Sequence, residues 1–415
     1  MRILHFADLH IGVENYGRPD PETGLSTRLL DFLSTLDELV EYALTGGVDL
    51  VLLAGDAYKG RDPSQTHQRE LARRLARLSA AGIPAFLLIG NHDLPHAEAR
   101  ATAIDIFTTL QVPNIYVGDH LQTYTIPTGK GPLQIVALPW PRRSRLLSRE
   151  ESRGMNIEQI RERIEDLFTR GIQKCVEGLD PTIPAVLAGH VTINGATVGT
   201  ERSMMLGQDH SLFPSAVHKG ELDYVALGHI HKHQILRENP MVVYSGSLQR
   251  VDFSEEGDTK GFCVVELDPS AAQGQRLKDF SFQPVNARPF LTIDVKVPPG
   301  DGDPTASVIR EIMRRNVSGS IVRLKISLPA GLDVQLRDGE IQEALRPAHY
   351  VAAISREVEE DRRTRIPADV AEGLTPVAAL GIYLEIRKVD PERREKMLRY
   401  AEEMVAEEPL DGAQE

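Results

Sequence analysis

Leu50-Val51-Leu52-Leu53-Ala54-Gly55-Asp56 runs through five apolar residues and stops at a glycine and a carboxylate. A stretch so short and so free of polar groups predicts a strand buried on both faces, as in a parallel sheet. Its surroundings read the same way. On the N-terminal side, residues 29–45 carry Leu29, Phe32, Leu33, Leu36, Leu39, Val40 and Ala43 at helical spacing, and residues 2–7 form another short apolar run. On the C-terminal side, residues 64–81 repeat the helical period through Leu71, Leu75 and Leu78, and residues 85–89 are again continuously apolar. Strands alternating with helices in this order predict an α/β fold whose strands share one sheet.

Further along, short apolar runs at 123–126, 133–139, 185–188, 224–227, 242–244 and 262–267 surround one helical stretch near 156–175. A second sheet packed on the first accommodates them, so residues 1–285 are expected to form a two-sheet sandwich flanked by helices. The composition shifts at 279–289. Residues 290–297, 304–315, 320–328, 339–345 and 350–358 then read as strand, helix, strand, helix and strand, a small α+β domain over 286–363. A polar linker at 364–374 leads to C-terminal helices at 375–408, opened by Thr375-Pro376 and Asp390-Pro391 as N-cap plus proline. In the last helix Met397, Leu398, Ala401, Met404 and Val405 make one apolar stripe, the pattern of a helix that docks in a partner's groove.

The 415 residues contain 47 Lys and Arg against 60 Asp and Glu, a formal net charge of −13. That balance argues against a chain that coats nucleic acid by charge alone, and leaves room for one that holds phosphates through metal ions. Only two cysteines occur, Cys175 and Cys263, which excludes a disulfide scaffold or a thiolate zinc site. No apolar run reaches the ~18 residues of a membrane span, and the opening Met1–Asp8 lacks the plan of a signal peptide. A cytoplasmic protein is expected.

Five apolar runs end in polar clusters beside glycine: Asp8-Leu9-His10-Ile11-Gly12, Gly55-Asp56, Gly90-Asn91-His92-Asp93, Gly189-His190 and Gly228-His229-Ile230-His231. Ligands of open α/β sheets gather outside the carboxyl ends of strands. Residues two apart, such as Asp8 and His10 or His229 and His231, point the same way in extended chain. Singly these clusters are weak, since Gly-Asp and Gly-Asn are ordinary turn signals. Together, each closing an apolar run, they point to one site. Carboxylate, amide oxygen and imidazole suit divalent ions of the manganese or iron type, with magnesium and zinc less favoured.

This series resembles the calcineurin-like metallophosphoesterases and is similar in particular to the SbcD family, the nuclease subunits of bacterial SbcCD complexes. The narrower likeness rests on Arg2-Ile3-Leu4-His5, Leu138-Pro139-Trp140-Pro141, Leu227-Gly228-His229-Ile230-His231 and Tyr244-Ser245-Gly246-Ser247, and covers about residues 1–285. It implies one ion held by Asp8, His10 and His231, a second by Asn91, His190 and His229, and Asp56 bridging both. Coordination positions would be left open for water and a phosphate, the mark of a catalytic site. It implies that His92 faces the scissile phosphate as an acid–base group, with Asp93 as its orienting partner. The cofactors would be two divalent ions, Mn²⁺ favoured and Mg²⁺ or iron possible, with ATP acting only through a partner. The activity implied is double-strand exonuclease and single-strand or hairpin endonuclease action in DNA repair, recombination and replication. DNA and an SbcC-type SMC-like ATPase would be the partners, with a homodimer of the nuclease subunit inside a heterotetramer. The alternative is a phosphomonoesterase or other phosphatase on the same fold, which leaves the small domain and terminal helices without a role.

One position departs from the family. Lys59 stands three residues after Asp56, where many relatives carry Asp or His; a phosphate contact and a solvated lysine are equally open there. Arg69, Arg73 and Arg77 lie at i, i+4 and i+8, a stripe that meets DNA phosphates or simply faces solvent. Leu71, Leu75 and Leu78, with Ile104, Phe107 and Leu110 on a helix expected at 98–110, would serve dimerisation or core packing. Met204-Met205 reads as local packing, and Trp140 as a structural residue near the site.

Overall fold

The computed structural model describes residues 1–95, 100–141, 154–199, 211–359, 375–387 and 389–407. The N-terminal region holds strands β1 (Arg2–Phe6), β2 (Leu50–Leu53), β3 (Ala85–Leu88), β4 (Ile115–Gly118), β5 (Gln122–Thr128), β6 (Gly131–Leu138) and β7 (Ala185–His190). After them come the two-residue β8 (Thr192–Ile193) and β9 (Ser211–Leu212), then β10 (Tyr224–Gly228), β11 (Gln234–Glu238), β12 (Met241–Tyr244), β13 (Gly261–Leu267) and β14 (Leu277–Pro284). All but β8 and β9, which pair only with each other, build two six-stranded sheets in the orders β14-β13-β1-β2-β3-β4 and β11-β12-β10-β7-β6-β5. β1, β2, β3 and β4 run parallel, with antiparallel pairing at the β13-β14 edge alone, and β6, β7, β10 and β12 run parallel between antiparallel edges at β5 and β11.

Three apolar layers explain why these sequences settle here. Ile3, Leu50, Leu52, Phe86 and Leu88 of the first sheet meet Ile135, Ala137, Val186, Ala188 and Val243 of the second in a closed layer between the sheets. The helices Thr27–Thr45 and Gln65–Ala80 cover the outer face of the first sheet with Leu29, Leu33, Leu36, Leu71, Leu75 and Leu78. The helix Ile157–Glu177 covers the second through Ile160, Ile164, Phe168 and Ile172, starting at a capping box between Asn156 and Gln159. Strands buried on both faces carry no polar alternation, which is the pattern seen in the sequence. The expected sandwich flanked by helices is present.

Phe290–Lys296, Ile321–Pro329 and Tyr350–Glu359 (β15, β16 and β17) form a third, wholly parallel sheet. The helices Pro304–Met313 and Asp338–Ala344 pack on it through Val308, Ile312 and Ile341, so this α+β unit has its own core. Helices Pro376–Ile386 and Pro391–Glu407 close the described chain. The helix expected at 98–110 is shorter, Asp105–Thr109: Thr102 and Asp105 bond each other's amides reciprocally and start it there, and residues 96–99 lie outside the described residues. The expected linker at 364–374 and Met204-Met205 also lie outside them. Among the described residues, no helix is long and apolar enough to cross a membrane.

His5 in β1 illustrates how the inter-sheet layer handles a polar side chain. Its Nε2–H donates to the Leu227 carbonyl at 3.2 Å, so its Nδ1 accepts from the Tyr224 hydroxyl at 2.9 Å. Burial pushes this imidazole down to about 3 from 6.5. The unfolded chain therefore takes up a proton below pH 6.5 that the folded chain refuses, and stability falls as pH falls. Between pH 6.5 and pH 5 the cost is ~2 kcal/mol. A His5→Gln variant, followed by urea unfolding at pH 7 and pH 5, is expected to lose less stability on acidification than the parent chain by about that amount. An identical acid loss in both proteins would contradict the assignment.

Candidate metal centre

The carboxyl ends of β1, β2, β3, β7 and β10 open at one edge of the sandwich, and all five polar clusters sit there. Asp8 and His10 follow β1, Asp56 follows β2, Asn91 and His92 follow β3, His190 ends β7, and His229 and His231 follow β10. The backbone is bent to achieve this. Asp8, His10, Asp56 and His229 have φ values of 52°, 45°, 57° and 94°, a left-handed region that non-glycine residues seldom occupy. Strain of this kind, at ~1–3 kcal/mol per residue, persists where surrounding structure fixes it and collects at functional sites. The glycines before Asp56 and Asn91 have a steric reason: a Cβ on Gly55 would lie 2.1 Å from His190 Nδ1, and one on Gly90 2.1 Å from Asp56 Oδ1.

Ligand atoms of Asp8, His10 and His231 all lie within 4.8 Å of one another, as do those of Asp8, Asp56 and His190, and those of His10, Asp56 and His92. His10 Nε2 faces His231 Nε2 at 3.0 Å. Asn91 Oδ1 lies 3.0 Å from His190 Nε2 and 3.3 Å from His229 Nδ1. Asp56 Oδ2 is 3.3 Å from His190 Nε2 and 3.9 Å from His10 Nε2, which puts this carboxylate between the two groups. All seven residues expected as ligands are thus brought together, and Asp8, His10, Asp56, His190, His229 and His231 are buried.

The donor set fits cations. His190 Nδ1 donates to the Ala54 carbonyl at 2.7 Å and His231 Nδ1 is 2.8 Å from Glu255 Oε1, so both rings turn Nε2 toward the centre. Nitrogen lone pairs, carboxylate oxygens and an amide oxygen then converge with few protons to share among them. Burial pushes the Asp8 carboxyl up to about 6. Burial would raise Asp56 as well, but His190 foremost among its neighbours holds it below the ordinary carboxylate range. Burial would lower His190, but Asp56 wins and pushes it up to about 9. A divalent ion bound here would displace protons from these groups.

Above the cluster lies a cleft of about 150 Å³ whose walls include Asn15, Lys59, His92 and Val251. The His92 amide donates to Asp56 Oδ1 at 2.8 Å, its ring stands edge-on to His10 with centroids 4.9 Å apart, and its Nδ1 donates to the Lys59 carbonyl at 2.7 Å. Trp140 leans on the His229 ring, centroids 4.9 Å apart.

One expectation requires correction. Asp93 is not the orienting partner of His92. Its carboxylate is buried and accepts backbone amides from Asp56, Ala57, Tyr58 and Gly90 at 3.0 to 3.4 Å, so it shapes the loop that carries Asp56. The Lys59 carbonyl orients His92 instead. The arginine stripe is engaged in ion pairs yet open to solvent: Arg69 and Arg73 each pair with Glu70 at 2.9 Å and Arg77 pairs with Asp37 and Glu41, while the three side chains stay 40 to 63% exposed. Sequence reasoning missed Asn15 in the cleft wall and the buried Glu255 and Lys260 beneath His231, which read as loop charges with no motif around them.

The sequence profile of the calcineurin-like phosphoesterases matches residues 1–233. The SbcD component of the SbcCD nuclease from Rhodobacter capsulatus is 31% identical over 292 residues, covering 66% of this chain and 68% of that one. Its counterpart from Bacillus subtilis is 26% identical over 272 residues, covering 65% and 67%. A dimetal phosphatase structure from Danio rerio covers 64% of this chain and 92% of its own at 12% identity, with a TM-score of 0.36. The matched residues 1–233 include every member of the cluster, and the chain belongs to the calcineurin-like phosphoesterases, as a metal-binding member homologous to the SbcD components of SbcCD nucleases.

Proposed function

We propose that this chain is the nuclease subunit of an SbcCD-type complex, hydrolysing DNA phosphodiesters with two divalent ions, Mn²⁺ by preference. The observation that carries the reading is the convergence of Asp8, His10, Asp56, Asn91, His190, His229 and His231 beneath a cleft that has His92 and Lys59 in its walls. Asp8, His10 and His231 would hold one ion, Asn91, His190 and His229 the other, and Asp56 both. Ions so held would lower the pKa of water and neutralise a phosphate. The protein does the rest. The Ala54 carbonyl fixes the tautomer of His190, and the strained turns hold Asp8, Asp56 and His229 in place before substrate arrives. His92, with Nδ1–H committed to the Lys59 carbonyl, keeps Nε2 for the cleft, where a protonated ring hands a proton to the leaving 3′ oxygen. Lys59 supplies a cation at the cleft wall for a neighbouring phosphate.

Exonuclease action on double strands and endonuclease action on single strands and hairpins are the activities proposed, in the repair and recombination of DNA. The α+β unit of β15–β17 would present DNA, and the nuclease subunit would act as a homodimer within a heterotetramer. Digestion of an end-labelled DNA hairpin with Mn²⁺, beside a generic phosphomonoester, tests the reading. Cleavage of the hairpin with little phosphomonoester turnover is expected; the reverse would assign the chain to the phosphatases.

The terminal helices are proposed to dock the SMC-like ATPase, through which ATP would act. Tyr383, Met397, Tyr400, Met404 and Val405 are exposed on them at 39 to 71%. Large apolar side chains so exposed are the anchors of helix-in-groove binding. Removing residues 375–415 is expected to leave a folded, metal-binding subunit that no longer captures the ATPase in a pull-down. Aggregation of the truncated chain, or undiminished capture, would contradict this role.

A further inference from the structure

A single helical turn, Phe253–Glu255, follows β12 and faces two ways. Toward the metal centre, Glu255 Oε1 lies 2.8 Å from His231 Nδ1. Its second oxygen pairs with Lys260 Nζ at 2.7 Å, and Lys260 also donates to the His231 carbonyl and the Ser247 hydroxyl, both at 3.0 Å. Glu255 and Lys260 are both buried, and Glu255 Oε2 also accepts the Val251 amide at 3.2 Å. Toward the α+β unit, the Phe253 ring packs edge-on against Phe290 of β15 at 4.9 Å, and the Arg323 guanidinium of β16 lies 4.3 Å above it. Glu256, next in sequence, accepts the Thr292 amide at 2.8 Å and the Thr292 hydroxyl at 2.6 Å. Phe253 and Glu256 grip β15 and β16, while Glu255 grips a histidine of the centre.

We propose that Glu255 is a positioning residue for the metal centre, and that the α+β unit sets it through Phe253 and Glu256. The proposal rests on the reading that His231 holds one ion with Asp8 and His10. Accepting the Nδ1–H of His231 keeps that ring in the tautomer whose Nε2 lone pair faces the centre, and raises its basicity as a ligand. Lys260 keeps Glu255 in place. From Thr292 of β15 the path to the metal centre runs through Glu256, Glu255 and His231, so a tilt of the unit reaches His231 without passing through a sheet. The opposite group is anchored elsewhere, since His190 leans on the Ala54 carbonyl. The unit therefore governs the retention of one ion and not the other.

The test is Mn²⁺ binding by calorimetry on the full chain, with thermal melting of each metal-free variant as a check of folding. His231→Ala is expected to bind one ion instead of two. Glu255→Ala is expected to weaken one of two sites by ~10–100-fold and spare the other, and Glu255→Gln, which keeps an acceptor for Nδ1–H, to recover part of that loss. Glu256→Ala, which touches no ligand, is expected to weaken the same site by a smaller factor. A folded Glu255→Ala with both sites at parental affinity overturns the positioning role. Should that variant not fold, parental affinity in Glu255→Gln and Glu256→Ala together does the same, and parental affinity in Glu256→Ala alone overturns the link to the α+β unit. Two ions at parental affinity in His231→Ala would remove the ligand reading itself, and the inference with it.

Discussion

His92→Ala is expected to keep two ions per chain and to bind DNA, while losing cleavage by ~10²–10⁴-fold, the effect of a missing acid–base group. His190→Ala is expected to fall from two ions toward one and to lose activity for that reason. The contrast follows from what each ring holds. His190 is buried, with Nδ1 spent on the Ala54 carbonyl and Nε2 close to Asp56 and Asn91. His92 sits higher, in the cleft wall, with Nδ1 spent on the Lys59 carbonyl. One of its nitrogens still lies within 4.8 Å of ligand atoms of His10 and Asp56, so geometry alone does not divide the roles. Elemental analysis of each purified variant, paired with Mn²⁺-dependent cleavage, does. Metal loss in His92→Ala would reassign it as a ligand, and near-parental cleavage would end its catalytic role.

Asp93→Ala is the second large effect. Its carboxylate is the acceptor for four amides in the loops around Asp56, and a methyl group leaves those N–H groups buried without it. Each orphaned donor costs ~1–3 kcal/mol, and since two of the bonds are long the total expected is ~3–5 kcal/mol. Metal binding and cleavage should fall with stability, because the loop carries Asp56. Thermal melting with and without Mn²⁺ measures this. An Asp93→Ala protein of parental stability, full metal content and reduced turnover would restore Asp93 to the role of acid–base partner.

How far the sequence reached depends on what kind of interaction each residue makes. The two sheets were legible because strands buried on both faces write their burial as unbroken apolar runs, as in Leu50–Leu53. The cluster was legible because each member closes such a run, and topology alone carries the ends of β1, β2, β3, β7 and β10 to one edge. What Asp93 bonds was not legible. A carboxylate beside a histidine reads as its partner, and only the folded loop shows it turned toward backbone amides. The arginine stripe was legible in part: the helical period places Arg69 and Arg73 in a row, but does not show the buried Glu70 with which both pair. Glu255 and Lys260 left no signal, because a loop charge that ends up buried looks like any other loop charge.

On the proposed reading, seven side chains hold two divalent ions with Asp56 between them. Anomalous diffraction at the manganese edge, from crystals grown with Mn²⁺, tests it most directly. Two peaks are expected, one against Asp8, His10 and His231, the other against Asn91, His190 and His229, with Asp56 touching both. A single peak, or two peaks that do not share Asp56, would contradict the account.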